Sequence, residues 1–415
     1  PAGSAGAIIS IADYTRTFAT NNLTVVANGS EKIGGVAQTL PLNINGQALT
    51  LIYVDGTEGW INVQNAEDTE TGLIPAFVAA SGGNSCATSG DFKYHIFTGP
   101  GTFTVSNAGN ANGSNSVSYL VLAGGGSGGS KRGGGGGAGG YRESPGTSTG
   151  SYTVAPIAGG SDNAALEIAA GVYAITVGAG GADAPESQGG PTGNPGSNSV
   201  FSTITSAGGG GGAMEGGTGG PGGSGGGAGN TDSAPTGSGG TGNTPSVTNA
   251  QGFNGGGSLR RAGGGGGGAG QIGFNAPPSP SSGSPTGPSG RGGTGGAGVA
   301  SSITNASVAR AGGGGGGAQY TGTTAPGGNG GGGTGSTGQG GSSNATAGTV
   351  NTGGGGGGDQ DGPQIGRAGG SGIVVVRCPA LSTLSVSPGT NTVTSSGPTG
   401  ANIATFTVSG NLTIA

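Results

Sequence analysis

The chain has one histidine, one tryptophan and two cysteines, and charged residues occupy 7% of its 415 positions. A zinc-type centre needs several Cys, His or carboxylate ligands close together, which one histidine and two distant cysteines do not supply. His95 is the only histidine available to a Ser-His-Asp triad, and nothing near it marks a nucleophile elbow. We therefore expect no enzyme activity and assign no catalytic residue, no cofactor or cofactor-binding residue, and no metal ligand.

Positive charge is also scarce. Lys and Arg number 12 against 17 Asp and Glu, which gives a net charge of −5. Nucleic-acid binding needs a basic patch for the phosphates, and none is visible in the sequence. No apolar run approaches the roughly 18 residues of a transmembrane helix. The chain begins at Pro1 without an initiator methionine or a signal peptide, so we expect a fragment or a processed product.

Glycine, by contrast, is abundant, with 112 residues beside 22 prolines. Such a content is typical of disordered or fibrous chains, but disordered chains are usually rich in charge. Contiguous glycines break the Gly-X-Y period and exclude collagen. The octet Ala262–Ala269 recurs as Ala311–Ala318, and an arginine precedes each copy. Related glycine runs lie at 133–137, 208–212 and 353–358.

The repeated runs need a geometry that suits glycine. A helix is disfavoured because each Gly costs about 1 kcal/mol relative to Ala, and glycine has no side chain to cover a sheet. Polyproline II geometry remains, in which six residues span about 19 Å and every backbone polar group points outward. We predict polyglycine II rods that bond to one another in a bundle. The alternative is a flexible Gly/Ser linker.

The apolar segments predict β-structure on both sides of the glycine runs. Six segments have the strand pattern: 92–97, 101–105, 117–123, 171–177, 199–205 and 372–377. They predict a β-sandwich of roughly six strands, with a hairpin turn at 98–101. The fold class is therefore all-β plus polyglycine II, with no α-helix of note. The expected domains are a β module at 1–72, the sandwich and its glycine bundle at 73–378 (rods at about 124–372), and a β module at 379–415.

The two cysteines are Cys86 and Cys378. If the apolar segments that flank the glycine-rich region pair in space, a disulfide between these residues would close that region. Two unpaired buried thiols are the alternative.

The N-terminal segment carries a resemblance. The stretch 22–33, NLTVVANGSEKI, followed by 49–61, LTLIYVDGTEGWI, looks like a β module of bacteriophage tail-fibre and tail-spike proteins. Trp60 in this segment is expected to be a core or subunit-interface anchor. Such modules commonly sit in trimeric shafts, so the resemblance implies a homo-oligomer, by analogy a trimer.

The glycine-rich region resembles a second family. Its entry YLVLAGGG at 119–126, its exit GGSGIVVVR at 369–377 and the element VGAGG at 177–181 are similar to the glycine-rich domain of phage tail fibres. In related phage adhesins the rods form a polyglycine II sandwich whose tip loops bind the host receptor. The resemblance therefore implies a virion, extracellular location. The partners it implies are a host cell-surface receptor, an outer-membrane protein or a glycan, and other tail-fibre or virion proteins.

The segments between the rods hold most of the region's side-chain diversity. Aromatic and polar side chains on loops over a rigid scaffold suit recognition. The receptor-binding candidates are Tyr141, Arg142, Phe253, Phe274, Tyr320 and Asp361. Alternatively, Phe253 and Phe274 seal the ends of the bundle. The sequence does not show which of these segments share one tip.

Three functional classes follow. The leading hypothesis is a tail-fibre adhesin that binds a bacterial surface receptor through loops on the glycine scaffold. The second is a purely structural virion or extracellular fibre or decoration protein without receptor binding. The third is a depolymerising tail spike, which no constellation of paired carboxylates favours.

Overall fold

The computed structural model describes residues 3–66, 76–89, 92–110, 115–145, 152–185, 192–230, 237–278, 291–319, 323–338, 344–360 and 365–379, and the strands at 384–387, 392–396, 401–405 and 411–414. The chain divides into two compact units, Pro1–Pro75 and Ala76–Ala415. The described residues form β-strands and extended segments without an α-helix, apart from one 3-10 turn at Ser161–Asn163.

The N-terminal unit is a small β module with its own core. Its strands are β1 (Ile8–Ala12), β2 (Leu23–Val26), β3 (Thr39–Leu42), β4 (Ala48–Tyr53) and β5 (Trp60–Ala66). Strands β1, β4 and β5 form one antiparallel sheet, and β2 pairs with β3. Leu49 and Leu51 alternate into a core with Trp60, whose indole N–H donates to Glu31 Oε2 at 2.9 Å. Trp60 is a core anchor.

The second unit contains the remaining strands. They are β6 (Val78–Gly82), β7 (Ser85–Ser89), β8 (Phe92–Phe97), β9 (Gly101–Ala108), β10 (Ser116–Leu122), β11 (Tyr141–Glu143), β12 (Leu166–Glu167), β13 (Gly171–Thr176), β14 (Ala184–Pro185), β15 (Ser199–Phe201), β16 (Ile204–Ser206), β17 (Val299–Ser301), β18 (Val308–Arg310), β19 (Ala318–Gln319), β20 (Thr337–Gly338), β21 (Ile365–Gly366), β22 (Ile373–Pro379), β23 (Leu384–Ser387), β24 (Thr392–Ser396), β25 (Ala401–Thr405) and β26 (Asn411–Ile414). Strand β23 pairs with β26, and β24 pairs with β25.

Two sheets form a sandwich. One has the order β11-β10-β22-β8-β7 and the other β16-β15-β13-β9-β6. Their facing sides share one core, in which the ring of Phe201 meets those of Phe103 at 5.7 Å and Tyr119 at 6.4 Å. This arrangement confirms the predicted all-β class. The outer side of the first sheet packs on a second cluster that includes Tyr141, Val299 and Ala311.

The predicted hairpin at 98–101 is wrong. Strand β8 pairs with β7 and β22, whereas β9 pairs with β6 and β13 in the opposite sheet. The short link between them therefore crosses from one sheet to the other. The physical reason is that Phe97 and Phe103 are both fully buried between the sheets, which requires their strands to face each other.

The glycine-rich segments continue the strands as extended rods. Strand β10 runs into 124–130, the chain turns at 131–132, and 133–140 returns antiparallel through bonds such as Gly126 N–H to Gly137 O. Successive rods alternate in direction in this way. We call the end next to the strands the sandwich end and the opposite end the distal end.

The hydrogen-bond register places every described rod in one of two directions. Rods that leave the sandwich end are 124–130, 178–183, 207–213, 223–230, 251–258, 271–276, 311–318, 332–336 and 353–360. Rods that return to it are 133–140, 192–198, 217–222, 237–243, 262–270, 291–298, 323–330, 344–349 and 366–372.

The rod 133–140 shows how the bundle is held together. The N–H groups of Gly134, Gly135 and Gly136 donate to the carbonyls of residues 213, 264 and 356, which belong to three different rods. The N–H groups of residues 137, 138 and 139 donate to the carbonyls of residues 210, 267 and 353 of the same three rods. Its carbonyls accept from three further rods, 124–130, 223–230 and 311–318. The rod therefore has six neighbours, and the direction of its bonds repeats every three residues.

The longest glycine runs of the sequence occupy the middle of this network. We call the rods 133–140, 207–213, 262–270, 311–318 and 353–360 the central rods. A Cβ on Gly136 would lie 2.1 Å from Gly126 O, and one on Gly314 would lie 2.0 Å from Gly356 O. Only hydrogen fits at these positions, because carbonyl groups of neighbouring rods occupy the space on each side.

Candidate functional site

Several rods that flank polar segments of the sequence have their ends together at the distal end of the bundle. The rods that border the polar segments 231–236, 279–290, 320–322, 339–343 and 361–364 all end or begin there. At the sandwich end, the described connections are the sandwich strands, the hairpin β17–β18, irregular stretches such as 244–250, and turns. The described rod ends that flank the five polar segments therefore all lie at the distal end.

Several polar side chains are buried at the distal ends of the described rods. We define the polar floor as Arg132, Asn230, Arg261, Gln319, Asp359 and Gln360, each at most 7% exposed. They belong to neighbouring rod ends that bond in succession. Arg132 N–H donates to Gln360 O, Asn230 N–H to Arg132 O, Arg261 N–H to Asn230 Oδ1, and Gln319 N–H to Arg261 O.

Two amides of the polar floor have an unused hydrogen-bonding atom. Nδ2 of Asn230 and Oε1 of Gln360 are buried and make no hydrogen bond with any of the residues that the structure describes. Buried polar atoms are normally satisfied, by protein or by ordered water. The polar floor can therefore donate one further hydrogen bond from Asn230 and accept one further hydrogen bond at Gln360. A water molecule or a polar ligand can make both bonds.

Two charged side chains, Lys131 and Glu215, lie next to Arg132 of the polar floor. Glu215 lies in the distal turn between 207–213 and 217–222, and its carboxylate bridges Lys131 Nζ at 3.0 Å and Arg132 Nη1 at 2.9 Å. Arg132 is only 7% exposed at its side chain, so this pair is less screened by solvent than a surface pair. The bridge fixes two distal turns to each other.

Tyr141 and Arg142, predicted on an exposed loop, are buried in β11 at the sandwich end, so that placement is wrong. Arg142 Nε donates to Asn163 Oδ1 at 2.8 Å, and its Nη groups donate to the carbonyls of Thr205 and Asp162. The physical reason is that β11 pairs with β10 as an edge strand of the first sheet, where it is covered by the chain that follows.

A buried carboxylate organises the neighbourhood of β11. Glu143 accepts hydrogen bonds from Ser301 Oγ at 2.5 Å, Tyr141 Oη at 2.8 Å and the Ala155 N–H at 3.0 Å. Desolvation nevertheless raises the pKa of Glu143, and it raises the pKa of Tyr141 well above 10.0. Burial lowers the pKa of Arg310, against the nearby Tyr141 and Glu143. This network joins β11 to the hairpin β17–β18.

The other predicted receptor-binding residues have different positions. Phe253 is half-buried and Phe274 is 45% exposed, but both lie on rods instead of loops. Neither seals a bundle end, because 251–258 and 271–276 continue past them. Tyr320 and Asp361 lie outside the described residues. Their receptor-binding role stays a prediction.

Of the two alternatives for Cys86 and Cys378, the disulfide is wrong and the unpaired thiols are found, with Cys378 buried and Cys86 half-buried. Cys86 lies opposite His95 and Cys378 opposite Lys93, with β8 between their strands. Strands separated by another strand lie about 9.5 Å apart, which is too far for a disulfide. Burial raises the pKa of Cys86 to about 11 and that of Cys378 to about 12.

Within the described ranges, no group of three His, Cys, Asp or Glu side chains is placed to hold a metal ion. His95 is fully buried and its Nδ1 bonds to Gly82 O at 2.7 Å. No helix in the described part of the chain is long and apolar enough to span a membrane.

Sequence reasoning missed the residues of the polar floor. Arg132 and Arg261 stand immediately before a glycine run or its flanking alanine, and Gln319 and Asp359 stand immediately after one. Arg310 borders a central run in the same way but lies at the sandwich end, so this pattern marks the ends of rods and does not show which end they share.

The comparison with protein families matches the same region. The family model described as a glycine-rich domain covers residues 97–379, which extend from the end of β8 to the end of β22. No curated protein matches the chain.

Proposed function

The chain belongs to the glycine-rich domain family, and we propose that it is a bacteriophage tail-fibre adhesin that binds a host cell-surface receptor through the distal end of its glycine bundle. The partners in this proposal are an outer-membrane protein or a glycan of the host and other tail-fibre or virion proteins. A homotrimer in the virion, outside the cell, is proposed by analogy with the β module at 22–61.

One observation carries this proposal. The alternating rods bring the described ends that flank five polar segments to one end of the bundle, although these segments differ in length and composition. A purely structural spacer has no need to place its variable connections on a single face. Binding residues, in contrast, are commonly found on loops that a rigid scaffold positions.

The rods that carry these segments form a rigid scaffold, because each central rod is hydrogen-bonded to several neighbouring rods. We propose that the rods are left-handed polyglycine II helices, which have three residues per turn. The three-residue repeat of hydrogen-bond partners in 133–140 supports this geometry. So does the absence of positive φ within the described central rods, apart from Ala311 and Gly353 where two of them begin. A crystal structure with rod torsions near φ −75° and ψ +145° would test it.

The experiment compares blockage of the two ends of the bundle. Thr323 is exposed at the distal end and Val350 is 67% exposed at the sandwich end. In a chain whose native cysteines are replaced by alanine, Thr323→Cys and Val350→Cys would each be labelled with the same maleimide-polyethylene glycol. Attachment of the fluorescent proteins to a panel of Gram-negative cells would then be measured by flow cytometry.

We expect the label at Thr323→Cys to abolish attachment and the label at Val350→Cys to leave it intact. Equal loss with both labels, or with neither, would contradict a distal receptor-binding face. A chain that attaches to no cell would favour the structural fibre. Release of reducing ends from host polysaccharide would identify the depolymerising tail spike.

A further inference from the structure

A pocket of about 570 Å³ opens at the distal end of the bundle. Its walls are the distal ends of the rods 237–243, 251–258 and 271–276, together with Leu259 and Pro278. Its volume falls in the range of small-molecule sites, about 300–1,000 Å³.

The polar side chains that line the pocket are neutral and are fixed by the backbone. Asn275 Oδ1 accepts from the Gly257 N–H at 2.6 Å, which leaves the Nδ2 amide group as a donor. Ser258 Oγ accepts from the Gly237 N–H at 2.8 Å, which leaves its hydroxyl hydrogen to donate. A ligand therefore meets donors that are already oriented, so little conformational freedom is lost on binding.

The rod backbone adds a further donor. Gly239 lines the pocket, and its N–H makes no hydrogen bond among the described residues. Three residues further along, the N–H of Gly242 donates to Asn254 Oδ1 on the adjoining rod. Because the direction of the rod's N–H groups repeats every three residues, the N–H of Gly239 points to the same side of its rod as that of Gly242, towards the rod 251–258. Gly239 therefore offers the pocket a backbone N–H donor, while its missing side chain lets the adjoining rod pack against it at Gly255.

The rest of the lining is apolar or small. Leu259, Ala276 and Pro278 provide carbon surface, and none of the described residues that line the pocket is charged. An anionic or cationic ligand would lose its hydration here without gaining an opposite charge. A ring with a C–H face and several hydroxyl groups matches both parts of the lining, because each hydroxyl both donates and accepts hydrogen bonds.

From this chemistry we propose that the pocket binds a neutral pyranose unit of a cell-surface glycan, an inference that rests on the receptor-binding role proposed above. The Asn275 amide and the Ser258 hydroxyl donate to ring hydroxyls. The surface of Leu259 and Pro278 packs against the C–H face of the ring.

The test measures direct binding of free sugars to the full chain by saturation-transfer NMR. The probes are glucose, galactose, mannose and N-acetylglucosamine, with glucuronic acid as the charged counterpart of glucose. Asn275→Asp keeps the Oδ1 acceptor for Gly257 but replaces the amide donor, and Ser238→Phe places a bulky group at an exposed position in the lining. Thr323→Ala is the distal control outside the pocket.

We expect at least one neutral sugar to bind, with about tenfold weaker affinity in Asn275→Asp. Ser238→Phe should abolish binding, and Thr323→Ala should preserve it. Absence of binding by every neutral sugar, stronger binding of glucuronic acid than of glucose, or unchanged binding in both pocket variants would overturn the proposal. Unchanged melting temperatures of the variants confirm that they are folded.

The outcome is separable from that of the proposed function. If the label at Thr323→Cys blocks cell attachment but no sugar binds, the distal receptor-binding face stands and the pyranose pocket is wrong. If the chain attaches to no cell, sugar binding and its loss in Asn275→Asp still decide for or against the pocket.

Discussion

The N–H of Gly314 donates a 2.9 Å hydrogen bond to the carbonyl of Gly136, although the two residues belong to glycine runs far apart in the sequence. The N–H of Gly136 in turn donates to Gly356 at 2.8 Å. A residue of a central rod thus holds several rods together at once, and its lack of a side chain is what permits the contact.

We expect Gly136→Ala to prevent cooperative folding of the bundle. Its Cβ would lie 2.1 Å from a carbonyl oxygen and 2.7 Å from both the carbonyl carbon and a second oxygen, all of them backbone atoms that cannot move alone. The cost should exceed about 4 kcal/mol, the range of exceptional point mutants. The measurement is the midpoint of chemical denaturation.

Gly99→Ala is the matched control, because an added Cβ there meets nothing within 4 Å. It should change stability by less than about 0.5 kcal/mol. Equal stability of the two variants would contradict the role assigned to the central rods.

His95 should make the second unit sensitive to acid. Burial, with the nearby charge of Lys93, lowers the pKa of His95 from 6.5 to about 3, although its bond to Gly82 raises it. Because the folded pKa is the lower one, its contribution is fully present above about pH 6.5 and is lost as the pH falls towards 3. The slope is up to about 1.4 kcal/mol per pH unit.

His95→Asn keeps an N–H donor for Gly82 O but does not titrate. Melting temperatures of both proteins at several pH values between 7 and 4 provide the comparison. We expect a smaller acid-induced decrease in the variant, whatever its stability at pH 7. The same decrease in both proteins would show that His95 does not contribute.

The thiols of Cys86 and Cys378 should be unreactive in the folded protein. Burial raises the pKa of Cys86 to about 11 and that of Cys378 to about 12, and only the thiolate reacts. A disulfide-exchange reagent at pH 8 should detect thiols only after denaturation, when both react. Rapid reaction without denaturant, or a melting temperature that falls on addition of reductant, would contradict this expectation.

Ser301→Ala should destabilise the contact between β11 and the hairpin β17–β18. The variant loses the 2.5 Å bond to Glu143 and leaves the Ile303 N–H without its acceptor. A loss of about 1–3 kcal/mol is expected. Ser302→Ala is the neighbouring control, because its hydroxyl bonds to Thr153 at the surface.

The effect of Ser301→Ala should also depend on pH. Desolvation already raises the pKa of Glu143, and loss of the Ser301 bond, which lowers it, should raise it further. A raised carboxyl pKa means that stability is greatest below the unfolded value near 4.5 and falls as the pH rises through the folded pKa. The deficit of the variant should therefore grow above pH 4.5. A deficit independent of pH would show that Glu143 does not change its ionisation.

The sequence predicted the central rods well, because six consecutive glycines suit a position where no Cβ fits. It could not predict which connections share an end. That assignment depends on the direction of every rod, including 217–222 and 344–349, which contain proline, threonine and alanine and do not read as glycine runs. Tyr141 and Arg142 were misplaced for a related reason. The partner that makes β11 a strand is supplied by β10, and its cover comes from residues near 300.

The position of β22 has a consequence for the time at which the protein can fold. This strand ends the glycine-rich domain in sequence, but it lies between β10 and β8 in the middle of the first sheet. Neither neighbour can complete its pairing until the ribosome has released residues 373–379. Because contacts between distant residues form slowly, the domain should fold late and as one unit after synthesis. A chain that stops before β22 should be degraded or aggregate instead of yielding a shorter folded domain.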